Sequence, residues 1–233
     1  MSTQKIKIDI VSDINCPWCY VGEKRLNSAI ATTGDKYKFE VNFKPFELNA
    51  SIAPEGMNKL EYFKMNYGSQ IIPQLPAMNQ RLADVGKEAG IDFKFEKAEN
   101  LHNTFNGHRL IWLAEKYNVQ PQVAEALFYS NFTEGQNVND IALLKKIGKA
   151  NGIPAEKLDT FFESEEGKDE VRQLEQWAQA AGIKGVPAFI INDTYLISGA
   201  QPEEVFHQVF EQVTPSLQQV TTKGESCDIN GNC

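Results

Sequence analysis

Two close cysteine pairs are the residues of this sequence best suited to chemistry: Cys16 with Cys19 near the start, and Cys227 with Cys233 at the end. The first pair reads Cys16-Pro17-Trp18-Cys19. If Pro17 is the first helical residue, Cys16 sits where free backbone N–H groups and the helix dipole favour an anion. Its thiol is then expected to ionise more readily than an ordinary cysteine. Proline suits that position because no N–H is needed there. Cys19, three residues on, is close enough to close a disulfide. The spacing therefore predicts an exposed nucleophile and a resolving thiol, the parts of thiol-disulfide exchange.

A zinc site made by both pairs is the competing reading. Cys-x-x-Cys serves metal and redox chemistry alike, but the second pair is spaced Cys-x5-Cys, wider than usual ligand spacing. A purely structural disulfide fits poorly with so few cysteines and a reducing compartment. No metal and no cofactor is expected. Gly185-Val186-Pro187-Ala188 supplies a second redox feature. Proline ahead of an apolar strand belongs at a strand start or edge. If the Val186-Pro187 bond is cis, the Val186 backbone is free to face the dithiol and pair with an extended substrate.

The elements that must position these residues can be read from periodicity. Lys5 to Val11 alternates, with Ile6, Ile8 and Ile10 on one side, and predicts a strand running into the motif. A helix follows from Pro17 to about Ala31, ending near Gly34. Tyr37 to Phe43 alternates again. From Asn58 to Gly182 the spacing turns helical: Leu110, Leu113, Ala114 and Tyr117; Leu143, Leu144 and Ile147; Val171, Leu174, Ala178 and Ala181. Four to six helices are expected there, with Pro121 and Pro154 opening two of them and Gly182 as a stop. The apolar, proline-containing run from Ile72 to Met78 reads as a packed connection or helix start. Strands return at Ala188 to Ile191 and Tyr195 to Ile197, turning at Asn192-Asp193. A last helix, Pro202 to Val213, places Val205, Val209 and Val213 on one stripe, flanked by Phe206 and Phe210.

This layout resembles the DsbA-like branch of the thioredoxin superfamily: strand, Cys-Pro-x-Cys, helix, strand, helical insertion, then Gly-Val-Pro before a hairpin. Asp13 to Gly22, Asn103-Thr104 with His108-Arg109, and Ser198 to Gln201 look like its FrnE-like group. The resemblance covers about Ile6 to Phe210. It implies an α/β, thioredoxin-like mixed β-sheet with a large α-helical insertion. It also implies that Cys16 attacks, Cys19 resolves and Pro187 is cis beside them. The expected division is 1–50 with 183–215 as the thioredoxin-like domain, 51–182 as the insertion, and 216–233 as a flexible tail.

Around the motif, Trp18 either touches substrate or covers the pair. Asp13 opposes the helix dipole if it points toward the thiols. His108 either tunes the thiolate or packs against Trp112; His102 and His207 are expected at the surface or as caps, and Asn103 and Thr104 as caps of the helix holding Leu110. Cys227 and Cys233 are expected to form a second redox couple passing electrons to the Cys16–Cys19 disulfide, or else to be incidental or metal-binding.

The net charge of −8 argues against nucleic acid, which needs a basic face. No stretch is long or apolar enough for a signal or a membrane span. A cytoplasmic disulfide oxidoreductase acting on protein or small-molecule thiols and disulfides is the leading reading. A glutathione-dependent isomerase or transferase is the alternative on the same fold, although those enzymes generally carry serine where Cys16 stands. A zinc-holding or chaperone-like binding protein is the non-enzymatic reading.

Overall fold

The computed structural model describes residues 4–213 of the chain. Strand β1 (Gln4–Ser12) lies at the centre of the fold. Its apolar residues are buried, Ile6, Ile8 and Ile10 among them, because both faces of the strand are covered. It pairs in parallel with β2 (Tyr37–Pro45), Ile8 opposite Val41. A parallel pair needs a crossover, and helix α1 (Pro17–Thr32) supplies it. On its other side β1 pairs antiparallel with β5 (Ala188–Ile191), which continues antiparallel into β6 (Tyr195–Ser198). The four-stranded order is β2-β1-β5-β6. Asn192 and Asp193 both adopt positive φ, 49° and 54°, as a tight hairpin turn demands.

Between β2 and β5 the chain is mostly helical. In order come α2 (Lys59–Tyr67), α3 (Leu75–Glu88), α4 (Phe105–Glu115), α5 (Gln120–Phe132), α6 (Ile141–Ala150), α7 (Ala155–Phe162) and α8 (Lys168–Ala180). A short ribbon pairs β3 (Met57–Asn58) with β4 (Asn100–Leu101). Seven α-helices exceed the four to six expected. Helix α2 buries no residue and α3 only Leu75 and Gly86, so neither carries a broad apolar stripe; α2 starts where Asn58 Oδ1 accepts from the N–H groups of Leu60 and Glu61. The run from Ile72 to Met78 spans the end of a 3₁₀ helix (Ser69–Gln74) and the start of α3.

One core joins sheet and helices. Ile6, Ile8 and Ile10 share a cluster with Leu110, Val123, Leu127, Leu144 and Phe161. Helix α9 (Glu203–Gln212) closes the other face of the sheet and packs on α1. Its inward stripe is Phe206 and Phe210, both fully buried, while Val205, Val209 and Val213 only flank it. This reverses the expected order, since the bulkier aromatics hide more apolar area than the valines do. Ala181, expected on the inner face of α8, is exposed, because α8 ends one residue before it.

Candidate active site

The chain leaves β1 at Ser12 and makes a tight turn before α1. The N–H of Cys16 donates to the Asp13 carbonyl at 3.0 Å. Cys16 is then the N-cap of α1, with Pro17 as the first helical residue. Its Sγ accepts from the backbone N–H of Cys19 at 3.2 Å, the place where an N-cap side chain normally receives an orphan helix donor. Both thiols are free. Cys16 is 5 % exposed and Cys19 1 %. The expected exposed nucleophile is thus largely covered, because Trp18, Phe93, Phe132 and Val186 belong to the apolar cluster that holds the pair. Burial pushes the Cys19 thiol well above its ordinary pKa, and its place beside Cys16 pushes it further; the Asp13 backbone N–H and the Ser12 hydroxyl act the other way.

The turn is held from three sides. Asn131 Nδ2 on α5 donates to the Ile14 carbonyl at 3.0 Å. Asn15 Nδ2 donates to the His102 carbonyl at 2.7 Å. The Asp13 carboxylate accepts from the N–H groups of Asn15, at 3.2 Å, and Leu48, at 2.8 Å. Asp13 is fully buried and lies 3.4 Å from Nε2 of His108, itself buried on α4. His108 therefore packs behind the turn against Asp13, whose carboxylate is occupied with the two backbone donors.

Opposite Cys16 stands the loop before β5. The Val186-Pro187 bond is cis, and the Val186 carbonyl oxygen lies 3.6 Å from Cys16 Sγ. Gly199 donates to the Pro187 carbonyl at 2.8 Å, and Arg25 donates to the Ala200 carbonyl at 2.7 Å, tying this loop to α1. Gly22 permits the close approach: a Cβ there would meet Phe189 at 3.0 Å and Pro187 at 3.1 Å.

Other residues settle differently from expectation. His102 is buried, not at the surface; burial and the nearby Lys59 charge lower its pKa. His207 is half-buried, with Nε2 3.0 Å from Thr32 Oγ1. Asn103 Oδ1 accepts from Phe105 N–H at 3.1 Å, whereas Thr104 occupies the cap position of α4 without a side-chain bond. Arg109 is a buried structural fork, donating to the carbonyls of Phe161, Ser164 and Glu166. Cys227 and Cys233 lie outside the described residues.

Sequence reading passed over Ser12, Asn131 and Glu23. Glu23, one turn after Cys19 on α1, is buried, and neither carboxylate oxygen makes a hydrogen bond of good geometry among the described residues. Burial raises its pKa to about 8, Glu125 adding to the effect and Lys24 and Asn27 opposing it. Helical spacing was the available signal: Glu23 falls four residues after Cys19 and three before Leu26, on the buried face of α1. Among the described residues no group of three or more His, Cys, Asp or Glu side chains is gathered as a metal would need, and no helix is long and apolar enough to cross a membrane.

The model of the DSBA-like thioredoxin domain matches residues 7–211. A probable DsbA oxidoreductase of Streptomyces coelicolor superposes with a TM-score of 0.82 at 30% identity, covering 98% of each chain. YwbO of Bacillus subtilis, an uncharacterized protein, is 28% identical over 204 residues, 87% of this chain and 94% of its own. The cytosolic disulfide reductase DsbM of Pseudomonas aeruginosa, in its structure with GSH, shares the fold at 16% identity, with a TM-score of 0.63 over 89% of this chain and 98% of its own.

Proposed function

The chain belongs to the DSBA-like thioredoxin family, and from that premise we propose that it is a thiol-disulfide oxidoreductase working through Cys16 and Cys19. The observation that carries the reading is the meeting of three parts: two free thiols three residues apart, a backbone N–H aimed at the first sulfur, and the Val186 carbonyl beside it. Cys16 attacks a substrate disulfide. The Cys19 N–H stabilises negative charge on the Cys16 sulfur as it forms and breaks bonds. Cys19, deeper by one helical turn, then displaces the substrate from Cys16 and closes the internal disulfide. Pro17 and Trp18 shape the mouth of the site. Val186 offers its backbone to an extended substrate, and Pro187 turns that backbone toward the sulfur.

The substrates on this reading are protein or small-molecule thiols and disulfides. The scarcity of cysteines and the negative charge suit a cytoplasmic protein that meets neither nucleic acid nor membrane. The kinship to the FrnE-like group rests on the residues around the motif, from Asp13 to Gly22. His108 supports the turn from behind. Cys227 and Cys233 serve as a second couple that passes electrons to the Cys16–Cys19 disulfide. Redox titration of Cys227→Ser/Cys233→Ser beside Cys16→Ser/Cys19→Ser checks that last role: the tail couple should have the lower potential.

Trapping tests the whole reading. Cys16→Ser should end disulfide exchange with insulin and with glutathione disulfide. Cys19→Ser should instead accumulate a mixed disulfide on Cys16, visible by mass spectrometry and cleared by dithiothreitol. Exchange at the parent rate in Cys16→Ser would remove the assignment. Exchange confined to glutathione, with glutathione conjugation or isomerisation surviving Cys19→Ser, would favour the glutathione-dependent alternative.

A further inference from the structure

Resolution of a mixed disulfide requires Cys19 to lose a proton, and Cys19 is the thiol that burial holds in its neutral form. Cys19 is only 1 % exposed, so at neutral pH, where hydroxide is scarce, the proton leaves through protein groups. Besides Cys16, the Asp13 backbone N–H and the Ser12 hydroxyl are the groups that act on the Cys19 thiol, both favouring its thiolate. Only the hydroxyl can both take up and hand on a proton. Ser12 also lines a small cavity, sized for about one water molecule, whose other walls include His108, Lys44, Phe43 and Phe128. Nε2 of His108 lies 3.4 Å from Asp13 Oδ1 but is not aligned for a hydrogen bond with it, and it has no other partner among the described residues. A buried ring nitrogen left without a partner is costly, and its position on a cavity shared with Ser12 gives it something to do.

We propose that Ser12, His108 and Asp13 form a proton relay that accepts the Cys19 proton during resolution, Ser12 touching the sulfur and the buried His108–Asp13 pair receiving the charge. The inference rests on the dithiol function proposed above.

The step balances. After Cys16 has attacked a disulfide RSSR, one RS⁻ has left and Cys16 is bonded to SR. The Cys19 S–H bond breaks, its proton passes through Ser12 to His108, and the Cys19 thiolate attacks Cys16 Sγ. The Cys16–SR bond breaks, the electron pair leaves with a second RS⁻, and the Cys16–Cys19 disulfide forms. The two thiolates take protons from water and from the relay. In sum the protein dithiol is oxidised by two electrons and RSSR is reduced to two RSH.

The charge received at His108 has compensation around it. Asp13 faces the ring from the turn. From α8 comes Glu175, buried, raised in pKa by that burial, and close enough to interact with His108. Glu175 in turn accepts from Arg172 at 2.7 Å, and Arg172 also pairs with the buried Glu47 beyond β2. Lys44 on β2 is the cation at the cavity wall, itself 3.9 Å from Asp9. Glu47 and Glu175 share Arg172 and Asp9 faces Lys44, while the Asp13 carboxylate, which accepts only from backbone N–H groups, stands beside the ring to balance a positive charge there.

The test separates attack from resolution. Stopped-flow measurement with glutathione disulfide would follow formation of the Cys16 mixed disulfide and then its decay to the internal disulfide, from pH 6 to 9. His108→Gln, which keeps much of the shape, and Ser12→Ala, which approaches the relay from the other end, should each slow decay at neutral pH at least tenfold more than they slow formation. Their deficit should shrink toward pH 9, where hydroxide replaces the missing acceptor. His108→Gln and Ser12→Ala combined should cost no more than the worse single change, as members of one chain do. Decay at the parent rate in both variants across the pH range would overturn the relay. So would equal slowing of formation and decay with no pH dependence, which marks a distorted turn. Failure of Cys19→Ser to accumulate a mixed disulfide would instead overturn the dithiol function itself.

Discussion

Cys16 Sγ and the Val186 carbonyl oxygen lie 3.6 Å apart, although 170 positions separate them in the chain. The loop before β5 thus forms one wall of the site and α1 the other, and only the Cys16 side of the dithiol faces the gap between them. Cys19 sits a helical turn deeper and is neutral by burial.

Iodoacetamide should therefore modify reduced Cys16 at least tenfold faster than Cys19 at pH 7.5, since a covered neutral thiol is a poor nucleophile. Peptide mapping after short labelling times gives the order. Labelling of Cys19 first would mean that the two sulfurs exchange roles.

Gly107→Ala should destabilise the fold by about 1–3 kcal/mol, the usual range for forcing extra volume into a packed core. A Cβ at Gly107 would overlap the Ile14 Cδ1, and Ile14 is itself fully buried, so its side chain has nowhere to retreat. Ile14 belongs to the turn before Cys16, and its displacement should also slow disulfide exchange. Urea unfolding together with insulin reduction checks both. A variant as stable and active as the parent would show that α4 does not press on the turn.

Arg109→Lys should cost roughly 3 kcal/mol or more while sparing the thiol chemistry. The guanidinium of Arg109 serves three main-chain carbonyls at the α7–α8 junction and stacks over Phe161, with 4.8 Å to the ring centre. A lysine ammonium cannot reproduce the planar fork. Chemical denaturation measures the loss, and iodoacetamide labelling of Cys16 in the folded variant should keep the parent rate. A loss below 1 kcal/mol would mean that water readily replaces the fork.

Most of the sheet and helices α1, α4, α6, α8 and α9 were legible in the sequence because they carry strong periodicity. The alternation of Ile6, Ile8 and Ile10, the Pro17 helix start and the Asn192-Asp193 turn all express a local rule that tertiary packing reinforces. Helix α2 was hidden because nothing on it is buried. The site was legible only where chemistry and spacing coincide, at Cys16 and Cys19 and before Pro187. Asp13 lies beside His108, and Ser12 shares a cavity wall with it, only because the chain folds the turn after β1 onto α4, and residues about 95 positions apart leave no spacing signature. The direction of the Asp13 side chain, open in the sequence, follows from two backbone donors, Asn15 and Leu48, that need an acceptor.

Glu23 should make stability fall as pH rises through neutrality. Its folded pKa is raised to about 8 from the ordinary 4.5, burial being the main cause. Below pH 4.5 the folded and unfolded chains both hold the proton, and the residue costs nothing through ionisation. Between that point and about 8 the unfolded chain binds fewer protons than the folded one, so stability declines with pH. The decline is at most about 1.4 kcal/mol per pH unit and a few kcal/mol in all. Glu23→Gln removes the ionisation and keeps the shape. It should therefore match the parent within about 1 kcal/mol at pH 5, where only the exchange of one unsatisfied buried group for another matters. By pH 8.5 it should be the more stable protein by a few kcal/mol. Urea unfolding at pH 5, 7 and 8.5 reads the difference directly, with Cys16 and Cys19 kept reduced so that thiol oxidation does not intrude. Stability curves that run parallel for parent and variant across that range would mean that Glu23 finds a partner or water on ionisation, and the buried, neutral carboxyl would have to be given up.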